Sequence, residues 1–445
     1  MSAGMIIGLM GVSFMGFGIL GIPVPFAIMA SVFLGTMFTD VSMASMVGQL
    51  YNGIDSVPLM AVPFFLLAGE LMASTNVTER IFNFTRSLVG HIRSGLAQVN
   101  TLFSLFFAGM SGSSTADVSA EVRILAPQMR KEGYNPAFSA ALSAATSTLA
   151  NIIPPSIMGV IYGATGNVSI GGIFLGGIIP GIMIAGGFMI YCYFFNAPKI
   201  RKPRSTFVEM AVAAKGAALP LLIPFVIMGG ILSGWFTPTE SGMIAVMYTI
   251  LIVIPIIKRD HLKNLPRDFM NAGILYAVPM ICVAGASAFG WMIAYLKAPQ
   301  IVSGWIQGIA GTDPLLILFL VILMFIVVGQ FLDAVPAIII FMPIIAALVD
   351  LGSINPIHMG VIVIITLAFG LITPPYGLSL LLASSISGVP FKDALKKTIP
   401  MYGIFIVVLS CLVFFPELVL WLPKTLMPES VGCFKAPDGL SYICP

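Results

Sequence analysis

Long runs of apolar residues, each about as long as the hydrocarbon core of a bilayer is thick, dominate this chain and leave it few folds to choose from. A spanning helix needs ~20 predominantly apolar residues. The segments that meet this run roughly 4–20, 24–39, 57–75, 137–163, 171–195, 216–233, 240–257, 271–296, 357–388 and 399–422. Only 9% of the 445 residues are charged and 58% are hydrophobic, against ~25% charged in soluble domains, so a water-soluble globular protein is excluded. Lipid offers no partners to backbone N–H and C=O groups, which restricts a chain of this kind to an all-α polytopic membrane fold. The 45 Gly and 31 Pro agree with this, because both are commoner in membrane helices than in soluble ones. A net charge of +3 spread over short loops is no footprint for nucleic acid. Three separated His and five Cys without ligand spacing give no metal motif.

Charge then orients the chain. The basic residues gather in five clusters: Arg80, Arg86 and Arg93; Arg123, Arg130 and Lys131; Lys199, Arg201, Lys202, Arg204 and Lys215; Lys258, Arg259, Lys263 and Arg267; Lys392, Lys396 and Lys397. Only Lys297, Lys424 and Lys435 lie elsewhere. The positive-inside rule puts the clusters in the cytoplasm and the three others outside. Ten crossings with both termini outside result. Two further apolar stretches, 98–128 and 314–349, begin and end on one side and read as re-entrant hairpins. The chain opens directly into apolar sequence, without a basic leader or a small-residue cleavage site, so the first helix is expected to be retained. Cys433 and Cys444 fall in a polar external tail, 425–445, where a disulfide and two free thiols are equally compatible with the sequence.

The chain also repeats itself. An offset of 216 aligns Val62-Pro63 with Val278-Pro279, Ala68-Gly69 with Ala284-Gly285, Asp117 with Asp333 and Pro127 with Pro343. An offset of 220 aligns Asn135-Pro136 with Asn355-Pro356, Thr146 with Thr366, Pro154-Pro155 with Pro374-Pro375 and Pro180 with Pro400. The halves, 1–215 and 216–424, each hold five crossings and one hairpin, and an odd number of crossings inverts the second relative to the first. Inverted repeats are a transporter architecture, with substrate held near the midplane where the halves meet.

Each half interrupts its helices twice at membrane depth. The first hairpin carries SGSSTAD at 111–117, and the helix 137–163 is broken by NIIPPS at 151–156. The second half has GQFLDAVP at 329–336 and, within 357–388, ITPPYG at 372–377. Proline has no N–H, so each pair frees carbonyls one turn earlier, and these must be satisfied by protein, water or an ion. Oxygen-only ligands suit a hard cation such as Na⁺, and half-helix N-termini suit an anionic substrate. One cation site per half is expected. Asp117 and Asp333 are intramembrane carboxylates at equivalent tips, and they are either functional or caps of the tip helices. Glu70 and Glu240 read as interfacial or capping residues. The amphipathic segments 76–96 and 297–313 are expected to lie along opposite faces of the membrane, either as simple anchors or as arms between a fixed and a moving part.

At these residues the chain resembles the large membrane subunit of tripartite ATP-independent periplasmic (TRAP) transporters, of the DctM or SiaM type. The likeness runs from VPFFLLAGELM at 62–72 through SGSSTADV at 111–118, NIIPPS, TPTESG at 237–242 and GQFLDAVPA at 329–337 to ITPPYG. It implies the elevator-type ion-transporter superfamily and Na⁺-driven uptake of a small organic acid, such as a C4-dicarboxylate, a sialic acid or a related carboxylate or sulfonate. It also implies a small four-helix membrane subunit, a periplasmic substrate-binding protein and residence in a bacterial inner membrane. Carried over by motif, the first Na⁺ site would use Ser111, Ser114 and Thr115 with backbone near Ala150 and Ile153, and the second Gly329, Gly370, Thr373 and Tyr376. Ser113, Asp117, Ser156, Asp333 and Ser379 are the candidates for substrate. The competing transport reading is a self-sufficient Na⁺- or H⁺-coupled anion symporter. An intramembrane hydrolase is disfavoured, since neither H-E-x-x-H nor G-x-S-x-G occurs.

Overall fold

A computed structural model of the chain describes residues 2–75, 77–195, 203–435 and 442–444. Lys199, Arg201 and Lys202 of the third basic cluster lie outside the described residues. The first half runs α1 (Ala3–Ile19), α2 (Val24–Thr36), α3 (Met43–Ile54), α4 (Ala61–Ala73), α5 (Val77–Val89), α6 (Gly95–Ser111), α7 (Ser114–Lys131), α8 (Pro136–Ser147), α9 (Ile157–Gly166) and α10 (Ile170–Phe195). The second runs α11 (Phe207–Leu232), α12 (Pro238–Tyr248), α13 (Ile254–Ile257), α14 (Leu265–Tyr295), α15 (Ala298–Ala310), α16 (Pro314–Gly329), α17 (Ala334–Gly352), α18 (Pro356–Gly370), α19 (Leu378–Ser387) and α20 (Phe391–Phe414). A last helix, α21 (Glu417–Leu426), precedes a tail in which Cys433 and Cys444 form a disulfide beside a two-stranded ribbon, Phe434–Lys435 with Tyr442–Ile443.

The two hairpins, α6/α7 and α16/α17, and the two broken helices, α8/α9 and α18/α19, fall where the motifs put them. Among the described residues, six helices are long and apolar enough to cross a membrane by length and composition, and the pair Met43–Ile54 with Pro58–Ala73, bent by 55°, makes a seventh candidate. Five of the six match expected crossings, and the sixth, Ala334–Gly352, is a hairpin arm. The other expected crossings are the two broken helices and the shorter α1 and α2. Two boundaries differ from the sequence reading. The polar segment at Met43–Ile54 is helical, and the stretch 399–422 is two helices, because Pro416 follows the end of α20 and restarts the chain as α21.

Packing divides the helices into two sets. A framework forms from α1–α4 with α11, α12 and α14: α4 lies on α12 and α14, and α2 and α3 lie on α14. A core holds the hairpins and broken helices, with α7 on α19, α9 on α17, α8 on α20 and α10 on α18. Each of these core contacts pairs an element of one half with an element of the other. The framework pairs α4·α12 and α2·α14 are related in the same way, as expected of an inverted repeat. Helix α5 runs between hairpin arm α6 and framework helix α11, while α15 packs on α17.

Matching devices start the broken helices. Asn135 caps α8 by accepting from the Ala137 N–H at 2.8 Å, and Asn355 caps α18 by accepting from Ile357 at 2.9 Å. Each is followed by Pro at the first helical position, where its missing N–H would have been unpaired anyway. Glu240 belongs to a capping box with Thr237, and Glu70 accepts from Asn271 at 3.2 Å, joining α4 to α14.

Candidate functional site

The first hairpin turns at Gly112, whose φ of +62° belongs to the left-handed region and whose carbonyl accepts from the Ile157 N–H at 3.3 Å. A Cβ there would meet the Pro155 carbonyl oxygen at 2.7 Å, so the residue is fixed as glycine by both conformation and space. The tip is thereby locked onto the break of α8/α9, where the Pro154–Pro155 bond is cis. Beyond the turn, Ser114 lies 3.3 Å from the Ser147 hydroxyl of α8 and 3.2 Å from the Ser379 hydroxyl of α19. Three buried hydroxyls from both halves therefore converge on one point. Ser111 donates to the Asp117 carboxylate and accepts from the Ser113 N–H at 3.3 Å. Ser113 and Thr115 are 3.1 Å apart. Ser156 caps α9 by accepting from the Gly159 N–H at 3.1 Å and closes back onto the Asn151 carbonyl. Ala150 is buried and Ile153 partly so on the same break.

The second junction has the same plan built from backbone. Pro374–Pro375 is also cis, and the Tyr376 N–H donates to the Gln330 carbonyl at 3.2 Å. Gly329 and Gly370 pass with their main chains in contact: a Cβ on Gly370 would meet the Gly329 carbonyl oxygen at 2.7 Å. Thr373 donates to the Phe369 carbonyl at 2.8 Å, and Tyr402 donates to Ile372 at 2.8 Å. The carbonyls one turn before the two prolines, Gly370 and Leu371, accept from the Thr373 and Ser379 N–H groups at 3.1 and 3.0 Å, so the backbone that the prolines free is closed by protein. Asp333 sits at the N-cap position of α17, near Tyr376 and next to the Ala334 N–H. Asp117 does not cap a helix; its partner is the Ser111 hydroxyl.

The structure brings Ser111, Ser113, Ser114, Thr115 and Asp117 together at the first junction and adds Ser379 from the second half. Gly329, Gly370, Thr373, Tyr376 and Asp333 gather at the second. Sequence reasoning missed Ser147 and Glu121. Glu121 lies one turn after Asp117 on α7, and both are fully buried. One oxygen of each, Asp117 Oδ2 and Glu121 Oε1, has no hydrogen-bond partner. No Lys, Arg or His pairs with either among the described residues. Two such charges ~6 Å apart repel by about 3 kcal/mol at an effective dielectric near 20, before the larger cost of desolvating them. The i,i+4 spacing of acids in ADVSAE was the signal available in the sequence.

Two inverted halves, each with a re-entrant hairpin closing a broken helix at membrane depth, define a multi-pass membrane transporter permease rather than an enzyme. The chain belongs to the DctM component family of tripartite ATP-independent periplasmic transporters, whose model matches residues 11–418. It is 34% identical to the sialic acid TRAP transporter large permease protein SiaM of Vibrio cholerae over 95% of this chain and 98% of that one. It is 32% identical to the C4-dicarboxylate TRAP transporter large permease protein DctM of Pseudomonas aeruginosa, over 88% and 92%. Among solved structures it shares its fold with the YdaH transporter of Alcanivorax borkumensis, at a TM-score of 0.57 and 13% identity over 87% of this chain and 88% of that one.

Proposed function

We propose that this chain is the large permease of a Na⁺-coupled, binding-protein-dependent importer of a small organic acid in a bacterial inner membrane. The acid belongs with the C4-dicarboxylates, sialic acids and related carboxylates or sulfonates. The observation that carries this reading is the doubled junction, in which a hairpin tip from each half closes on a broken helix. Both junctions offer a hard cation what it needs, namely neutral oxygen ligands in a site without basic side chains. Ser111, Ser114 and Thr115 with the backbone at Ala150 and Ile153 form the first site, and Gly329, Gly370, Thr373 and Tyr376 the second.

The repeat units are 1–215 and 216–424, and 425–445 is an external tail. The hairpin-bearing core moves as an elevator against the framework, with α5 and α15 as its arms. A small four-helix subunit widens the framework in the bilayer, and a periplasmic binding protein delivers the acid. No Lys or Arg lies at either junction, so the substrate carboxylate meets hydroxyls such as Ser113, Ser156 and Ser379, half-helix N–H groups and the charge of bound Na⁺, with Asp117 and Asp333 at the rim of the site. Neutral donors contribute ~1 kcal/mol each net, and a 1 mM dissociation constant corresponds to only ~4 kcal/mol. The permease alone is therefore a millimolar binder, and high affinity belongs to the partner outside.

Reconstituted vesicles test this. Uptake of succinate or N-acetylneuraminate should require an inward Na⁺ gradient, the small subunit and the binding protein. Uptake without the binding protein would favour the self-sufficient symporter instead. Calorimetry showing tight, Na⁺-independent binding of free acid to the permease would overturn the division of labour.

A further inference from the structure

Below the first tip, five fully buried side chains from three helices close a ring. Glu121 of α7 lies against Ser104 of α6 and within 3.3 Å of the Thr146 hydroxyl of α8. Asn100, one turn before Ser104, donates its amide to Ser143, one turn before Ser147, at 2.9 Å. Each hydroxyl has one hydrogen and more than one acceptor: Thr146 donates to the Glu121 carboxylate at 3.3 Å or to the Leu142 carbonyl at 2.9 Å, and Ser104 to Glu121 or to the Asn100 carbonyl at 2.9 Å. The carboxylate thus has at most one neutral donor from each of α6 and α8, shared with that helix's own carbonyls. Asn100 Oδ1 and Glu121 Oε1 are both buried without any partner. Two buried acceptors of the ring, one of them on a carboxylate, therefore go unmatched, and no Lys, Arg or His among the described residues pairs with that carboxylate, which leaves a place for a positive species.

The protein contains its own control. The corresponding hairpin arm α16 reads PLLILFLVILMFIVVG, with no hydrogen-bonding side chain. Glu121 corresponds to Ala337 at the offset of 216, and Ser143 to Val363 at 220. Of the ring only Thr146 has a polar counterpart, Thr366, so a hairpin of this architecture packs on its broken helix without the carboxylate or the hairpin-arm polar residues, and the ring is not a requirement of the fold.

We propose that Glu121, Asn100, Ser104 and Thr146 form a third Na⁺ site in the stem of the first hairpin, distinct from the two junctions. Four oxygen ligands, one of them anionic, match a hard monovalent cation. The site goes beyond the proposed import function, and it is tested by direct cation binding, so failure of the import reading leaves the outcome intact.

The full chain in lipid nanodiscs is titrated with ²²Na⁺, and its thermal unfolding is followed in NaCl and in choline chloride. Glu121→Gln should bind one Na⁺ fewer at saturation. It should also melt above the native protein in choline chloride, because the unpaired charge is gone, and lose part of the rise that NaCl gives the native protein. Ser104→Ala retains the acid and should raise the Na⁺ concentration for half-saturation of the site about tenfold, which keeps the proposal testable if Glu121→Gln does not fold. An unchanged Na⁺ count and midpoint in Glu121→Gln or Ser104→Ala would overturn the site. So would a native protein whose stability in choline chloride rises on acidification to the level of Glu121→Gln while NaCl adds nothing through Glu121, since the ring would then hold a proton.

Discussion

The contact between Gly329 and Gly370 permits an asymmetric test of the second junction. A Cβ added at Gly370 would lie 2.7 Å from the Gly329 carbonyl oxygen and 2.9 Å from its carbonyl carbon and Cα. Ordinary carbon-to-oxygen contacts are ~3.3 Å or longer, so Gly370→Ala must drive the α16 and α18 backbones apart by roughly 0.6 Å. Main chain cannot rotate out of the way as a side chain does, and overpacking of this kind costs about 1–3 kcal/mol. If the cation site depends on that approach, the Na⁺ needed for half-maximal uptake should rise roughly five- to a hundredfold. The reverse substitution is the control. A Cβ on Gly329 would meet Gly370 Cα and Leu367 Cδ2 at 3.4 Å, which is ordinary packing, and alanine at a helix end has the better helical propensity. Gly329→Ala should therefore stay within about twofold of the native protein. Both are measured by Na⁺ titration of uptake in reconstituted vesicles, with thermal unfolding alongside. A Gly370→Ala protein with native Na⁺ dependence, or a Gly329→Ala protein that is the more impaired, would refute the reasoning.

At the first junction, Ser114→Ala removes a hydroxyl shared with Ser147 and Ser379, and loss of one neutral ligand worth ~1–2 kcal/mol should raise the Na⁺ midpoint of uptake about tenfold. Because the two hydroxyls belong to one cluster, the Ser114→Ala, Ser379→Ala double variant should be impaired by less than the product of the single effects; fully additive losses would show that they act separately. Thr373→Ala should shift the same midpoint at the second junction, and an unchanged Na⁺ response would remove Thr373 from that site. Single cysteines at the exposed Lys131 and Asp350, which flank the equivalent turns before Asn135 and Asn355, should react with an impermeant thiol reagent from opposite sides of the membrane. Reaction from one side only would break the inverted topology.

Where backbone chemistry is dictated by residue type, the sequence was a good guide. Proline pairs mark the two broken helices because no neighbour can restore a missing N–H, the Gly-Ser run marks the first hairpin tip, and Asn-Pro marks the start of both broken helices. Helix α3 escaped notice because GQLYNG within it is too polar for a hydropathy reading, and α21 because the apolar run continues across Pro416. Glu121 escaped for a different reason. It stands two residues from Arg123, near the cytoplasmic end expected of the hairpin 98–128, and its burial is created only when α6 and α8 close over it. Likewise, the meeting of Ser114 with Ser379 joins residues 265 apart in the chain, a distance over which spacing carries no information.

The two junctions share a topology but not a chemistry. The first adds side-chain oxygens, from Ser111, Ser114, Asp117 and the Glu121 ring on α7 and its neighbours, to the main-chain bond from Ile157 to Gly112. The second is held by main chain, through Gly329 against Gly370 and the Tyr376 N–H on Gln330. A change that deletes a side-chain oxygen should therefore act most strongly at the first junction, while a change that displaces backbone should act at both, through Gly112 at the first and Gly370 at the second. Inversion of the repeat follows from the odd number of crossings in each half, and helix-breaking residues suffice to give both halves a hairpin and a break. The oxygen-rich lining is an addition to one half. The first hairpin is therefore where buried side-chain oxygens are concentrated, and if the proposed sites bind the ions and the acid, substitutions that alter which ones move should map to α6, α7 and α8 before they map to α16 and α17.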